Sequence, residues 1–459
     1  MSQNIITVFI CILLTLDSGN SNAQTSESVI KSLYDRELLQ GEAYPMLKFL
    51  STKIAHRLSG SGGAAAAVEW SAIKMREFAD TVWLQPVMVP QWKRGSAEVA
   101  RIITGKSDEI PLQVCALGGS IGTGKTGIRG RVVEVKNFEE LKSQAAAVSG
   151  KIVFFNRPLD PTVVNTFSAY GGAVDQRGSG PSEAARLGAI GVIVRSMGSP
   201  DESYPHTGAL QYAADAPKIP AIAISTRDAD ILSAHLKKDK DVQVHFATHC
   251  EILEDVLSYN VIGELLGSVH PEQIIVVSGH LDSWDVGQGA HDDGAGCVQA
   301  MEVLRLFRTV GYKPRCTIRA VLFMNEENGL RGGREYAAQA ELKHEKHVGA
   351  MESDRGGFTP RGFTISATRS ARQRIQSWKP LLEPYGLTDF NQEGGGADIS
   401  FLARLGVPLL GYLPDSQRYF SYHHSQADTF DKVNRRELEL GAAGMAALTY
   451  LIDKYGLEE

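Results

Sequence analysis

Ile274-Ile275-Val276-Val277-Ser278-Gly279-His280-Leu281-Asp282-Ser283 begins as an unbroken apolar run and ends in Gly, His, Asp and Ser. An apolar run without alternation is the pattern of a strand covered on both faces, as parallel strands between helix layers are. Working outward, a helix is expected from 296 to 307 and a strand from 318 to 324. A helix near 332–340, strands at 347–351 and 407–413, and a closing helix from 436 to 455 follow. Strands alternating with helices at this spacing predict an α/β fold with a largely parallel sheet flanked by helices.

Open α/β sheets bind ligands beyond the carboxyl ends of their strands. His280 and Asp282 follow the first strand, Asn325-Glu326-Glu327 the second, and Glu352-Ser353-Asp354 the third. Gly289-Ala290-His291-Asp292-Asp293-Gly294 opens the helix, and Tyr422-His423-His424-Ser425 supplies more imidazole near the end. A glycine-rich helix start suits phosphate, yet two adjacent aspartates would repel it. Imidazole facing carboxylates is instead a zinc ligand set. Each fragment alone is an ordinary surface feature; their gathering at strand ends of one α/β block makes the case.

The rest of the chain organises around that block. Residues 26–78 carry helical periodicity, broken at Gly60–Gly63, and residues 81–89 alternate as a strand. From 112 to 250 short β and α units with many Gly and Pro predict an inserted, mostly β module. The expected division is a leader at 1–23, catalytic-domain segments at 24–111 and 256–459, and an insert at 112–255. The leader rests on the apolar run 5–16 and the small residues Ser21-Asn22-Ala23, and predicts a secreted or periplasmic protein with no stable membrane anchor. The net charge of −6 offers no electrostatic basis for binding nucleic acid. Beyond the leader, Cys115, Cys250, Cys297 and Cys316 fit either disulfides or separate buried thiols, since none forms a CxxC pair.

The ordered set His280-x-Asp282, Asp292-Asp293-Gly294, Glu326-Glu327, Asp354 and His424-Ser425-x-x-Asp428-Thr429 resembles the co-catalytic zinc aminopeptidase and carboxypeptidase clan. Within it the chain is most similar to the plasma glutamate carboxypeptidase, or carboxypeptidase Q, group. His56-Arg57-Leu58-Ser59, Pro90-Gln91-Trp92 and Gly395-Gly396-Ala397-Asp398 add to the likeness, and the insert resembles a protease-associated domain. The resemblance implies a zinc exopeptidase fold with a mostly parallel mixed sheet, two Zn²⁺ per chain, and a homodimer acting on short peptides. It assigns His280 and Asp354 to one zinc and Glu327 and His424 to the other, with Asp292 as the bridge in preference to Asp293. Asp282 would orient His280, and Glu326 would be the general base and acid acting on a zinc-activated water. Two zincs carry four positive charges against three from Asp292, Glu327 and Asp354, and a hydroxide would balance them.

Tyr422 reads as either an intermediate-binding residue or a packing residue, His423 as structural, and His291 as a rim residue. Two rival functions share the fold: a one-zinc glutaminyl cyclase and a non-catalytic binding module. The complete ligand set and Glu326 argue against both.

Overall fold

The computed structural model describes residues 25–104 and 108–457, and the leader expected at 1–23 lies outside them. The apolar run at 274–277 sits inside the strand His270–His280, at the middle of a seven-stranded sheet. Its flanking strands, Cys316–Phe323 and Lys346–Glu352, are both parallel to it, and Leu409–Pro414 continues in parallel beyond the latter. The outer strands Glu251–Leu265, Thr81–Lys93 and Pro360–Ser366 pair antiparallel. Parallel pairing puts the carboxyl ends of four successive strands on one edge, which is what allows their loops to build one site.

The run is apolar without alternation because each face meets its own core. Ile275 and Val277 pack with Val298, Met301 and the closing helix, whereas Ile274 and Val276 pack with Tyr336, Ala337 and Leu402. The helix Ala295–Thr309 is buried along most of its length because Ser26–Gln40 and Arg435–Tyr455 cover its outer side. Asn434 caps the last of these helices by accepting the Glu437 N–H, as an N-cap asparagine does.

A second, eight-stranded sheet runs from Val99 to Ala247, with Ile128–Val135, Ile152–Phe155, Gly191–Arg195 and Ala221–Ile224 parallel at its centre. It begins ahead of residue 112 because Val99–Thr104 pairs with both Asp108–Leu112 and Gln243–Ala247. That pairing joins residues far apart in sequence and leaves no local mark. Helices such as Thr226–Lys238 pack on this sheet too. Cys115, Cys250, Cys297 and Cys316 are separate buried thiols, which resolves the disulfide alternative. No helix among the described residues is long and apolar enough to cross a membrane.

Candidate metal centre

All five residues expected to bind metal meet at the carboxyl edge of the first sheet. His280 Nε2 lies 3.2 Å from Asp292 Oδ1 and 3.3 Å from Asp354 Oδ1. His424 Nε2 lies 3.3 Å from Asp292 Oδ2 and 3.0 Å from Glu327 Oε2. Asp292 therefore faces both imidazoles, one with each carboxylate oxygen. Its Oδ2 is buried and has no hydrogen-bond partner among the described residues. Asp293 points elsewhere: its carboxylate accepts the N–H groups of His280 (3.0 Å) and Gly296 (2.9 Å), tying the helix start to the strand.

The backbone is shaped to present these groups. Arg57, fully buried, donates to the carbonyls of Leu281, Gln288 and Gly289 at 2.8–2.9 Å and so folds the segment between His280 and Asp292. Asp428 accepts the N–H groups of His291 and Asp292 at 2.7 and 3.1 Å. The Asp282 carboxylate accepts from Asn325, Glu326 and Glu327 in turn, at 2.8, 3.0 and 3.3 Å, fixing the acidic turn. Orientation of His280 falls to the Asp282 carbonyl, 3.0 Å from Nδ1; the carboxylate, at 3.8 Å, is committed to the turn. Nδ1 therefore carries a proton, and Nε2 is the atom turned toward the acids and available to a metal.

The electrostatics are those of crowded acids: burial opposes charge on His280, but Asp354 and Asp292 outweigh it and raise its pKa well above the usual imidazole value. Burial, reinforced by the acids around them, pushes Glu326 and Glu327 well above the usual carboxylate range, and Asp354 is raised for the same reason. Burial would also raise Asp292, but its bond to His280 and the nearby His423 outweigh it and hold the pKa down. Burial, His423 and Arg177 together keep His424 neutral. Buried charges persist when paired or bound to metal, and the pairing here is to imidazole. Imidazole nitrogens and oxygens on three carboxylates are a donor set that fits zinc.

Glu326 and Asp354 line a cleft of about 340 Å³ together with Tyr419 and, from the second-sheet region, Phe167, Tyr170 and Arg177. Tyr422 is not there: it stacks on His291, whose ring also stacks on Phe358 and accepts the Gly357 N–H, so both are packing residues and His291 is buried away from the rim. His423 stacks on His424 at 3.5 Å, and its Nε2 is 3.8 Å from Asp292, farther than that of His424. Sequence reading assigned no role to Arg57, Asp428, Tyr419 or Arg177. The first two lay within quoted motifs, a usable signal; the last two carried none.

Peptidase family M28 matches residues 260–449. Bovine carboxypeptidase Q is 35% identical over 414 residues, covering 90% of this chain and 85% of its own. A peptidase M28 precursor from Shewanella amazonensis is 34% identical with a TM-score of 0.88, covering 93% of this chain and 96% of its own. A zinc aminopeptidase from Bacillus subtilis, at 18% identity and a TM-score of 0.63, shares the fold over 89% of this chain and 94% of its own. The chain belongs to peptidase family M28, with the carboxypeptidase Q proteins, and is a metallopeptidase.

Proposed function

We propose that this is a two-zinc exopeptidase that hydrolyses dipeptides and short peptides. The observation that carries the proposal is the meeting of two donor sets on one carboxylate: His280, Asp292 and Asp354 on one side, His424, Glu327 and Asp292 on the other. Bound there, the two metals supply Lewis acidity toward a scissile carbonyl and bring the pKa of water toward about 7. Glu326 lines the same cleft next to Glu327 and is the group placed to take a proton from the attacking water and return it to the leaving amine. Tyr419, buried at the cleft wall, is our candidate to hydrogen-bond the tetrahedral oxygen.

Arg177 extends the proposal to short substrates with a free carboxyl terminus. It is buried, and its partners are the Thr207 carbonyl (3.3 Å), the Tyr170 hydroxyl (2.6 Å) and the His424 ring (3.4 Å), none of them anionic. Its Nε has no partner among the described residues. A guanidinium buried without a carboxylate is costly unless substrate brings one. Export, a homodimer and a protease-associated role for the second-sheet region belong to the same proposal. An exposed apolar strip on the edge ribbon, with Leu84, Met88 and Leu257, supports self-association.

The test is zinc content of the purified protein, with dipeptide and dipeptide-amide hydrolysis before and after chelation. Two zincs per chain and chelator-sensitive cleavage that favours the free acid are expected. One zinc or none, without cleavage when zinc is restored, would return the glutaminyl cyclase and the binding module.

A further inference from the structure

The metal ligand His424 sits on a loop held from two sides: Asp428 ties its far end to the His291 and Asp292 N–H groups, and the second sheet grips the backbone at His424 itself. Its backbone lies in the left-handed region, φ 59°, which costs a non-glycine residue about 1 kcal/mol or more and persists only when surroundings enforce it. What enforces it comes from the second sheet. His206 Nδ1 donates to the His423 carbonyl at 2.7 Å, and the Thr207 N–H donates to the His424 carbonyl at 2.8 Å. The Tyr204 hydroxyl donates to the Ser421 carbonyl at 2.9 Å, and the Ser199 and Ser421 hydroxyls are 2.6 Å apart. His206 and Ser425 close a short antiparallel bridge.

This strap is built, and anchored, in the second sheet. The His206 N–H donates to Ser196 Oγ, just beyond the strand Gly191–Arg195, and Ser196 Oγ donates to the Ile224 carbonyl. The Thr207 hydroxyl donates to the Ala116 carbonyl at 2.8 Å. Glu202 Oε2 lies 2.8 Å from His206 Nε2, and a Cβ at Gly198 would come within 2.2 and 2.5 Å of those two atoms. At Gly208, φ 130°, a Cβ would sit 2.7 Å from His424 Nδ1. Glycine is thus required at both ends of the strap.

We propose that the second-sheet region completes the metal centre: His206 is a positioning residue that sets the His424 loop through the His423 carbonyl. Docking of this region then fixes the affinity of the zinc held by His424 and Glu327. The inference rests on His424 being a zinc ligand. It differs from a lid or an association role, because it makes metal retention depend on residues more than two hundred positions away.

The experiment uses the zinc-loaded full chain and titrates zinc out with a competing chelator. Wild type, His206→Ala, His206→Asn and Tyr204→Phe are compared. In His206→Ala one of the two zincs should bind about 10- to 100-fold more weakly, the range typical of lost outer partners, while the other keeps its affinity. His206→Asn, whose amide N–H takes the place of Nδ1–H, should recover most of the loss. Tyr204→Phe removes a single hydroxyl; it should weaken the same zinc by a smaller factor, and it keeps the test valid if His206→Ala does not fold. Wild-type retention of both zincs in the folded variants would overturn the strap. A wild type that binds no zinc would overturn the ligand assignment instead.

Discussion

Two groups of buried acids, one among the helices Ser26–Gln40, Ala295–Thr309 and Arg435–Tyr455 and one at the strand ends, are resolved in opposite ways. Beneath the helix layer, Glu37 and Glu302 are fully buried and Glu439 nearly so. Arg305 Nε donates to both Glu302 oxygens at 2.8 Å, and Arg435 Nε donates to Glu439 at 2.7 Å. Glu37, 3.6 Å from Arg305, is pushed up to about 11 by burial and by Glu302, and so stays protonated. That cluster is neutralised by the chain's own guanidinium groups and by a proton. At the strand ends, Asp292, Glu327 and Asp354 face imidazoles instead of guanidinium groups; orphaned oxygens do not separate the two groups, since Asp292 Oδ2 and both Glu37 oxygens alike have no hydrogen-bond partner among the described residues. The difference lies in the partners: carboxylates among guanidinium groups are packing, and carboxylates shared between two imidazoles are a metal-ligand set.

Four experiments can break or sharpen that contrast. The largest effect belongs to Glu326→Gln, which should cut turnover by about 10²- to 10⁴-fold, the usual worth of a general acid–base group. Its zinc content should match wild type; loss of zinc would make Glu326 a ligand. Asp292→Asn comes next, since it weakens the one carboxylate shared by both imidazoles: zinc should be released and activity lost with it. If zinc per chain stayed the same, Asp293 would be the bridge.

Chelation of wild type should lower the melting temperature, because metal bound at 100 times its Kd stabilises by about 2.7 kcal/mol. An unchanged melting temperature in a calorimeter would count against metal bound at the acids. On zinc content and turnover the smallest effect is expected in the helical cluster, where a substitution acts on stability alone. Glu37 has its folded pKa above its unfolded value of 4.5, so its contribution is complete below that pH and is lost as pH rises toward about 11. Glu37→Gln should match wild type near pH 4, then gain on it by on the order of 1 kcal/mol per pH unit above that. It should do so with zinc content unchanged. Denaturant melts at pH 5 and 9 check this, and equal stabilities at both would mean that Glu37 is ionised in the fold.

Much of the fold was legible because its signal is local. The strands expected at 318–324 and 347–351 appear as Cys316–Phe323 and Lys346–Glu352, and the helix expected at 436–455 as Arg435–Tyr455. Pro360–Ser366, an edge strand with a glycine and a proline, lacked that signal and was missed. The pairing of Val99–Thr104 into the second sheet was missed for a related reason, since it depends on partners near residue 245. At the centre, residue types and strand-end positions were legible. Tyr419 in place of Tyr422 at the cleft, and the burial of His291, were not: adjacent loop residues diverge according to what they stack on.

By itself, the sequence determined which chemical groups this protein can bring to a metal and the edge of the sheet where they stand. Strand periodicity, apolar run length and the residue following each strand are short-range properties of the chain. Tertiary structure alone decided that the Asp293 carboxylate turns to the His280 and Gly296 N–H groups while Asp292 faces both imidazoles, that Arg57 shapes the loop between them, and that His206 holds His423 and His424 in place. Those outcomes run through backbone carbonyls and N–H groups joined across as many as 232 positions. Such bonds ignore which side chain the contacted residue carries, so no local pattern records them.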